Sequence, residues 1–146
     1  MKKKVLHSFE KIYDATHQNV PVIMKDLENK MKEWQIPEIT REDLILAADE
    51  AITNIVMHAY ANVSDREQEK KVEVILLYKE NLLELILKDK GKSFNMSRVP
   101  APNIEQNLKG KRRGGFGVFL MKTLMDKVRY RCHLGMNYTI LVKRVD

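Results

Sequence analysis

At 146 residues the chain has room for one domain with a substantial core and for little more. Its 44% hydrophobic and 32% charged content is that of a soluble globular protein, and no apolar run approaches the ~20 residues needed to span a bilayer. The net charge of +6 admits nucleic acid, a membrane surface or an acidic protein as partner without choosing among them.

The first residues, Met1 to Lys4, are basic like the start of a signal peptide, but Ser8, Glu10, Lys11 and Asp14 interrupt the apolar stretch that would have to follow. The expectation is a protein that stays in the cytoplasm. Residues 4–9 alternate loosely and read as an edge strand. From Thr16 a helix follows, with Val20, Ile23, Leu27, Met31 and Trp34 in one apolar stripe, Pro21 in its first turn and Gln35-Ile36-Pro37 ending it. Thr40 is placed to cap a second helix, with Glu42 and Asp43 in its first turn and its end near Tyr60.

After a polar loop from Asn62 to Lys71, two β-rich runs, Lys71–Lys79 and Leu82–Lys88, meet around Glu80-Asn81 as a hairpin. Asp89 to Gly114 is a long irregular stretch, of the kind that in a compact domain is usually functional. A third helix is expected over Phe116–Val128, then strands over 129–134 and 138–145 that turn near Gly135. The single cysteine, Cys132, excludes an internal disulfide and reads as a buried, inert thiol more readily than as a reactive one. The four histidines show no zinc spacing. The order β-α-α-β-β-loop-α-β-β predicts an α+β fold. It is a two-layer α/β sandwich in which a mostly antiparallel mixed sheet is covered on one face by three helices, and not a Rossmann arrangement.

Three features carry chemistry. Between Leu44 and Ala61 the second helix contains no lysine or arginine, and apolar residues occupy nearly its whole circumference, with Leu46 and Met57 on the side opposite the main apolar face. Glu50 and Asn54 lie four residues apart on one side, with His58 next in the row. Buried carboxylates and amides need partners, and a metal ion with a ligand would serve; an exposed polar edge is the plainer reading. Asp89-Lys90-Gly91 at a strand end is a common turn. It is also a carboxylate able to accept a hydrogen bond from a base amine, beside a glycine that lets backbone approach a ring. Arg112-Arg113-Gly114-Gly115-Phe116-Gly117 opens a helix, and its free amides and cations suit a polyphosphate, although it is neither a P-loop nor a protein-kinase glycine loop.

In this order the three resemble the N, G1 and G2 boxes of the GHKL (Bergerat-fold) ATPases. The strings from Ala48 to Tyr60 and from Gly114 to Val128 are similar to those of the anti-sigma-factor serine kinases, and the resemblance runs from the first strand to the last. It implies a single ATP-binding kinase domain over residues 1–146 with an ATP lid at about 93–114. It assigns Mg2+ to Asn54, the adenine amine to Asp89, base packing to Gly91, and phosphate contacts to His58, Ala59, Arg113, Gly115 and Gly117. Glu50 becomes the general base on the attacking hydroxyl. The implied function is transfer of the ATP γ-phosphoryl group to a serine of an anti-sigma-factor antagonist, with sequestration of a sigma factor by a homodimer.

The sequence departs from the pattern at Gly135-Met136, where the family often has Gly-Thr, and at Ser93, where many relatives have a second glycine. The alternative is a non-catalytic ATP-binding module that regulates by contact. Direct nucleic-acid binding is not expected, because Lys109, Lys111, Arg112 and Arg113 are accounted for by a phosphate lid.

Overall fold

The computed structural model describes residues 2–60, 69–92 and 116–146. Five strands form one sheet in the order β1-β2-β3-β5-β4: β1 is Val5–Asp14, β2 Lys71–Lys79, β3 Leu82–Asp89, β4 Lys127–His133 and β5 Met136–Arg144. All four pairings are antiparallel, so the mixed sheet expected from the sequence is replaced by a purely antiparallel one. The hairpins β2–β3 and β4–β5 require antiparallel neighbours, and the helical crossover between them returns β5, not β4, to the side of β3. Asn81 turns the first hairpin at φ 58°, and Leu134 and Gly135 turn the second at φ 51° and 78°. Left-handed residues at such positions match the twist of the strands they join.

Among the described residues three helices lie on one face of this sheet: α1 Asn19–Glu33, α2 Glu38–Asn54, and α3 Phe116–Leu124. A single π-helical turn, Ile55–Ala59, continues α2. Val74, Leu76, Leu83, Leu85, Leu87 and Leu141 point from the sheet into the layer, where they meet Ile23, Leu27 and Met31 of α1, Leu44, Ala48 and Ile52 of α2, and Met121 of α3. Each fully buried aliphatic side chain of this kind contributes roughly 1.5–3 kcal/mol. Tyr13 ties β1 to α1 by donating to Asp26 Oδ2 at 2.6 Å, and His7 stacks on Trp34 at the other end of the same pair. Lys143 of β5 reaches Asp43 of α2 at 3.2 Å and donates to the Leu124 carbonyl at 2.7 Å, which pins the last turn of α3.

Several boundaries differ from the sequence reading. β1 extends to Asp14 because β2 offers it a partner along its whole length. Helix α2 starts at Glu38 after Pro37, with no side-chain cap, and Thr40 lies buried inside the first turn instead of capping it. Helix α3 stops at Leu124, and Val128, expected as its last apolar residue, packs on the core from β4. Leu46 and Met57, read as part of a helix apolar all round, are half exposed at 50% each, so the outer side of α2 faces solvent.

Cys132 is exposed instead of buried, because β4 is an edge strand whose inward positions are partly buried only as far as Tyr130. On the sheet face away from the helices β4 presents Lys127, Arg129, Arg131 and His133, all exposed. No described helix is long and apolar enough to cross a membrane.

The end of α1 is closed by two backbone bonds, Gln35 N–H to the Lys32 carbonyl at 3.0 Å and Ile36 N–H to the Met31 carbonyl at 2.9 Å. Such a closure requires a left-handed residue, and Gln35 supplies it at φ 59° where glycine is the usual occupant. Gln35→Gly is therefore expected to raise the unfolding free energy by about 1 kcal/mol, read as a higher urea midpoint at unchanged slope.

Candidate functional site

The buried layer between α2 and the sheet brings the polar residues of two distant segments together. Helix α2 must sit close to the sheet, and Ala47, Ala48 and Ala51 allow it to do so, each being fully buried. The same helix carries Glu50 and Asn54 one turn apart near its C-terminal end. Asp89, the last residue of β3, faces the same layer and is 3% exposed.

The π turn decides which residues after Asn54 reach the site. A π turn is wider than an α turn, so it carries the chain off the four-residue row that would have aligned His58 with Glu50 and Asn54. His58 is exposed, while Ala59 is buried against Gly91. A Cβ at Gly91 would lie 2.4 Å from the Ala59 carbonyl oxygen and 2.8 Å from the Ala59 methyl. Beside it, the Lys92 N–H donates to that carbonyl at 2.5 Å. Gly91 is thus needed for the approach of the π turn to the strand end. The Tyr60 hydroxyl completes the junction by donating to the Lys71 carbonyl at 2.6 Å and accepting from the Lys90 N–H at 3.1 Å.

Asp89 is held by two donors on one oxygen. The Gly91 N–H and the Asn137 amide both reach Oδ1 at 2.9 Å, and Asn137 also donates to the Gly91 carbonyl at 2.9 Å. Burial pushes the Asp89 carboxyl above the usual carboxylate range, against the pull of Asn137 and Gly91. Glu50 is also raised, by burial first and by the neighbouring charge of Asp49 second. The two carboxylates singled out from the sequence are therefore both raised in pKa above the range of solvent-exposed carboxylates.

Asp89 borders two hollows. On the helical side, a cleft of about 10 Å³ is lined by Ala51, Asn54, Ile55, Ala59, Asp89, Lys92, Tyr130 and Thr139. On the other side, a hollow of about 690 Å³ lies among Ile12, Tyr60, Lys71, Glu73, Lys88 and Met136. The larger hollow has the volume of a ligand pocket and is lined mostly by charged side chains, whereas the smaller joins a carboxylate, an amide and a hydroxyl from three elements, set in apolar walls. The helical-side cleft is the better candidate on chemistry, and it has to widen to take more than a water-sized guest.

Of the residues singled out from sequence, Asn54, Ala59 and Asp89 line this cleft and Gly91 abuts it. Glu50 lies one turn back on α2, against Gly117 at the start of α3. Arg113, Gly115 and the lid at 93–114 lie outside the described residues.

Thr139, which lines the cleft, and Asn137, which donates to Asp89 beside it, were not identified as site residues from sequence; both are 1% exposed. Their signal was present in β5, where polar residues alternate onto a face that continues as Leu141; Asn137 pairs with Asp89 and Thr139 with Leu87. A threonine does therefore reach the cleft, although none follows Gly135 directly. Among the described residues no group of three or more histidine, cysteine or acidic side chains could hold a metal by itself. A hard cation here would rest on few protein oxygens and take its other ligands from phosphate and water, which is the habit of Mg2+.

Residues 13–143 match the family model described as histidine kinase-like ATPase domain. Among curated relatives, the chain is 36% identical over 105 residues to a serine-protein kinase, RsbW, of Bacillus subtilis, covering 65% of this chain and 59% of that protein. It is 35% identical over 94 residues to RsbW of Staphylococcus aureus, covering 60% and 55%. The matched segment spans about three fifths of the length of these relatives. In fold, the chain is similar to the RsbU and RsbW domains of a Mycobacterium tuberculosis protein, with a TM-score of 0.69 at 16% identity over 95% of this chain and 32% of that one. It is also similar to a chain of the SiaB-SiaC complex of Pseudomonas aeruginosa, with a TM-score of 0.63 at 12% identity over 98% and 92%. A polar cleft beneath the C-terminal half of α2, where no lysine or arginine follows Arg41, and a family match over most of its length lead to one conclusion: the chain belongs to the histidine kinase-like ATPase domain family.

Proposed function

We propose that the chain is a single-domain cytoplasmic protein kinase. It would bind ATP with Mg2+ and transfer the γ-phosphoryl group to a serine of an anti-sigma-factor antagonist. As a homodimer it would also sequester a sigma factor. The observation that carries this reading is the meeting of Asn54 and Asp89 in one cleft, with Glu50 one turn back on α2, in the family whose name is an ATPase domain. The similarity to proteins named serine-protein kinase supports the choice of serine as acceptor.

Asp89 would accept a hydrogen bond from the adenine amine on its second oxygen, since Asn137 and Gly91 already occupy Oδ1. Asn54 would hold the metal through its amide oxygen. Mg2+ when bound would neutralise charge on the transferring phosphoryl group. Arg113, Gly115 and Gly117 would bind phosphates, with Ala59 and His58 at the rim of the site. Glu50 would take the proton from the serine hydroxyl as its oxygen attacks the γ-phosphorus in line and the bond to the β-phosphate oxygen breaks, releasing ADP. The desolvated Glu50 carboxylate is suited to this, because its raised pKa makes it a better proton acceptor once ionised.

Glu50→Gln keeps the shape of the side chain and removes the base. Transfer to a bacterial anti-sigma-factor antagonist, followed as phosphoserine by mass spectrometry, is expected to fall about 10²–10⁴-fold while ATP affinity changes little. Transfer at the wild-type rate would remove Glu50 from the mechanism. Binding of Mg-ATP without transfer by the unmodified chain would leave a regulatory module that acts by contact.

Asp89→Asn separates binding from stability. The folded-state pKa of Asp89 is raised, so the native state holds its proton more tightly than the unfolded chain. Stability from this group is then greatest below the unfolded value near 4 and is lost as pH rises through the folded value. The nucleotide-free Asp89→Asn variant is expected to melt above wild type at pH 7, the gap closing toward pH 4, and to lose calorimetric Mg-ATP binding. A lower melting temperature at pH 7 would show that the carboxylate is stabilised in place, and undiminished ATP binding would move the base elsewhere.

A further inference from the structure

We infer that Gly117 is a positioning residue for Glu50: the missing side chain at the second residue of α3 is the seat of the Glu50 carboxylate. The inference rests on the kinase reading for the role of Glu50, and on the geometry alone for the contact.

A Cβ built on Gly117 would lie 2.1 Å from Glu50 Oε2, 2.8 Å from its Cδ and 3.5 Å from its Cγ. The first two distances are far inside van der Waals contact, so one oxygen and the carboxyl carbon of Glu50 occupy the space an alanine methyl would need. Backbone conformation does not call for glycine at this position. Gly117 is helical, its φ is not left-handed, and glycine weakens a helix relative to alanine. Gly91 differs, because there the excluded atoms are the Ala59 backbone carbonyl and methyl, and the consequence is packing of the fold. At Gly117 the excluded atoms are the end of an acidic side chain.

The seat is built from two elements whose relative position is set by packing. Met121, one turn along α3 from Gly117, is fully buried in the layer that also buries Ala47, Ala51 and Ile52 of α2. The approach of α3 to α2 is therefore fixed by the core, and with Gly117 on the facing side Glu50 can lie flat against the helix. Its flexible arm then loses the rotamers that would carry the carboxylate away from α3. A base that must meet a hydroxyl within hydrogen-bond reach gains from that restriction, since misplacement of about an ångström is enough to lose most of its effect. The partial burial that raises the Glu50 pKa is consistent with a carboxylate boxed in from this side, with Asp49 as the charged neighbour acting on it.

The test is Gly117→Ala, alone and combined with Glu50→Ala, on the full chain. The contact is read by thermal melting without nucleotide. With Glu50 present, the alanine methyl should collide with the carboxylate and the melting temperature should stay level or fall. With Glu50→Ala the collision is gone, and the same substitution should raise the melting temperature by a few degrees, as expected for alanine replacing glycine in a helix. Equal rises in both backgrounds would overturn the contact.

Positioning is read by steady-state hydrolysis of Mg-ATP, with water as the acceptor Glu50 would activate. Gly117→Ala should lower kcat at least 10-fold with the KM for ATP within about 3-fold. The Glu50→Ala background should show no further loss on adding Gly117→Ala. An unchanged kcat, or a raised KM with kcat intact, would overturn the positioning role and return Gly117 to phosphate binding alone. If the unmodified chain turns over no ATP, the kinase reading falls with the positioning role, and the melting cycle still decides whether Gly117 seats Glu50.

Discussion

The backbone of the π turn approaches the end of β3 more closely than any side chain would permit, and the polar end of the molecule depends on that approach. Ala59 and Gly91 meet where a Cβ would be 2.4 Å from a carbonyl oxygen, and the Lys92 N–H takes that same oxygen as its acceptor. From this contact the rest follows in order. The turn has to widen to bring Ala59 in, which leaves His58 outside and Asn54 as the last inward polar residue of α2. The Gly91 amide and carbonyl are then fixed where Asp89 and Asn137 can use them. A carboxylate, an amide and a glycine from β3 and β5 so form one hydrogen-bonded knot beneath the end of a helix.

That knot has an energetic character of its own. Burying Asp89 raises its pKa even with two donors on one oxygen, so the native state holds a group that would be more comfortable in water or protonated. Folding supplies the excess from the apolar layer: Leu83, Leu85 and Leu87 on the same strand are fully buried. Strand β3 is thus an apolar anchor for three inward positions and a polar terminus at the fourth. The division of labour is common where a rigid element positions a group whose use lies in binding rather than in stability.

Much of this was legible before any coordinates. The stripe from Val20 to Trp34, the β2–β3 hairpin and the element order all follow from periodicity, and the structure reproduces them. The pairing of Glu50 with Asn54 and the placement of Asp89 at a strand end were equally visible. What was missed has physical causes. The start of α2 was misplaced because Thr40 looks like a cap, whereas Pro37 ends the preceding turn and lets Glu38 begin the helix. Cys132 was expected inside because a thiol between β-forming residues reads as core, and only the strand order reveals that β4 is an edge. Asn137 and Thr139 acquire meaning only through the β3–β5 register, a pairing between strands separated by a helix, which local sequence does not encode. The π turn is likewise invisible to a helical wheel, and it is what separates Ala59 from His58.

Among the described residues β1 and β4 are the edge strands of the sheet. Edge strand β4 carries Lys127, Arg129, Arg131 and His133 at alternate positions on one face, all exposed. If two copies of the chain tried to join their sheets through β4, these rows would be brought alongside one another, crowding Lys127, Arg129 and Arg131 of both copies onto one face of the new ladder. The backbone of the edge is available for pairing, but its charges repel its own likeness. Such a strand resists the stacking that leads from a sheet edge to a fibre, and the resistance should weaken as added salt screens the row. Colloidal behaviour is thereby written into the same strand that lines the polar cleft through Tyr130.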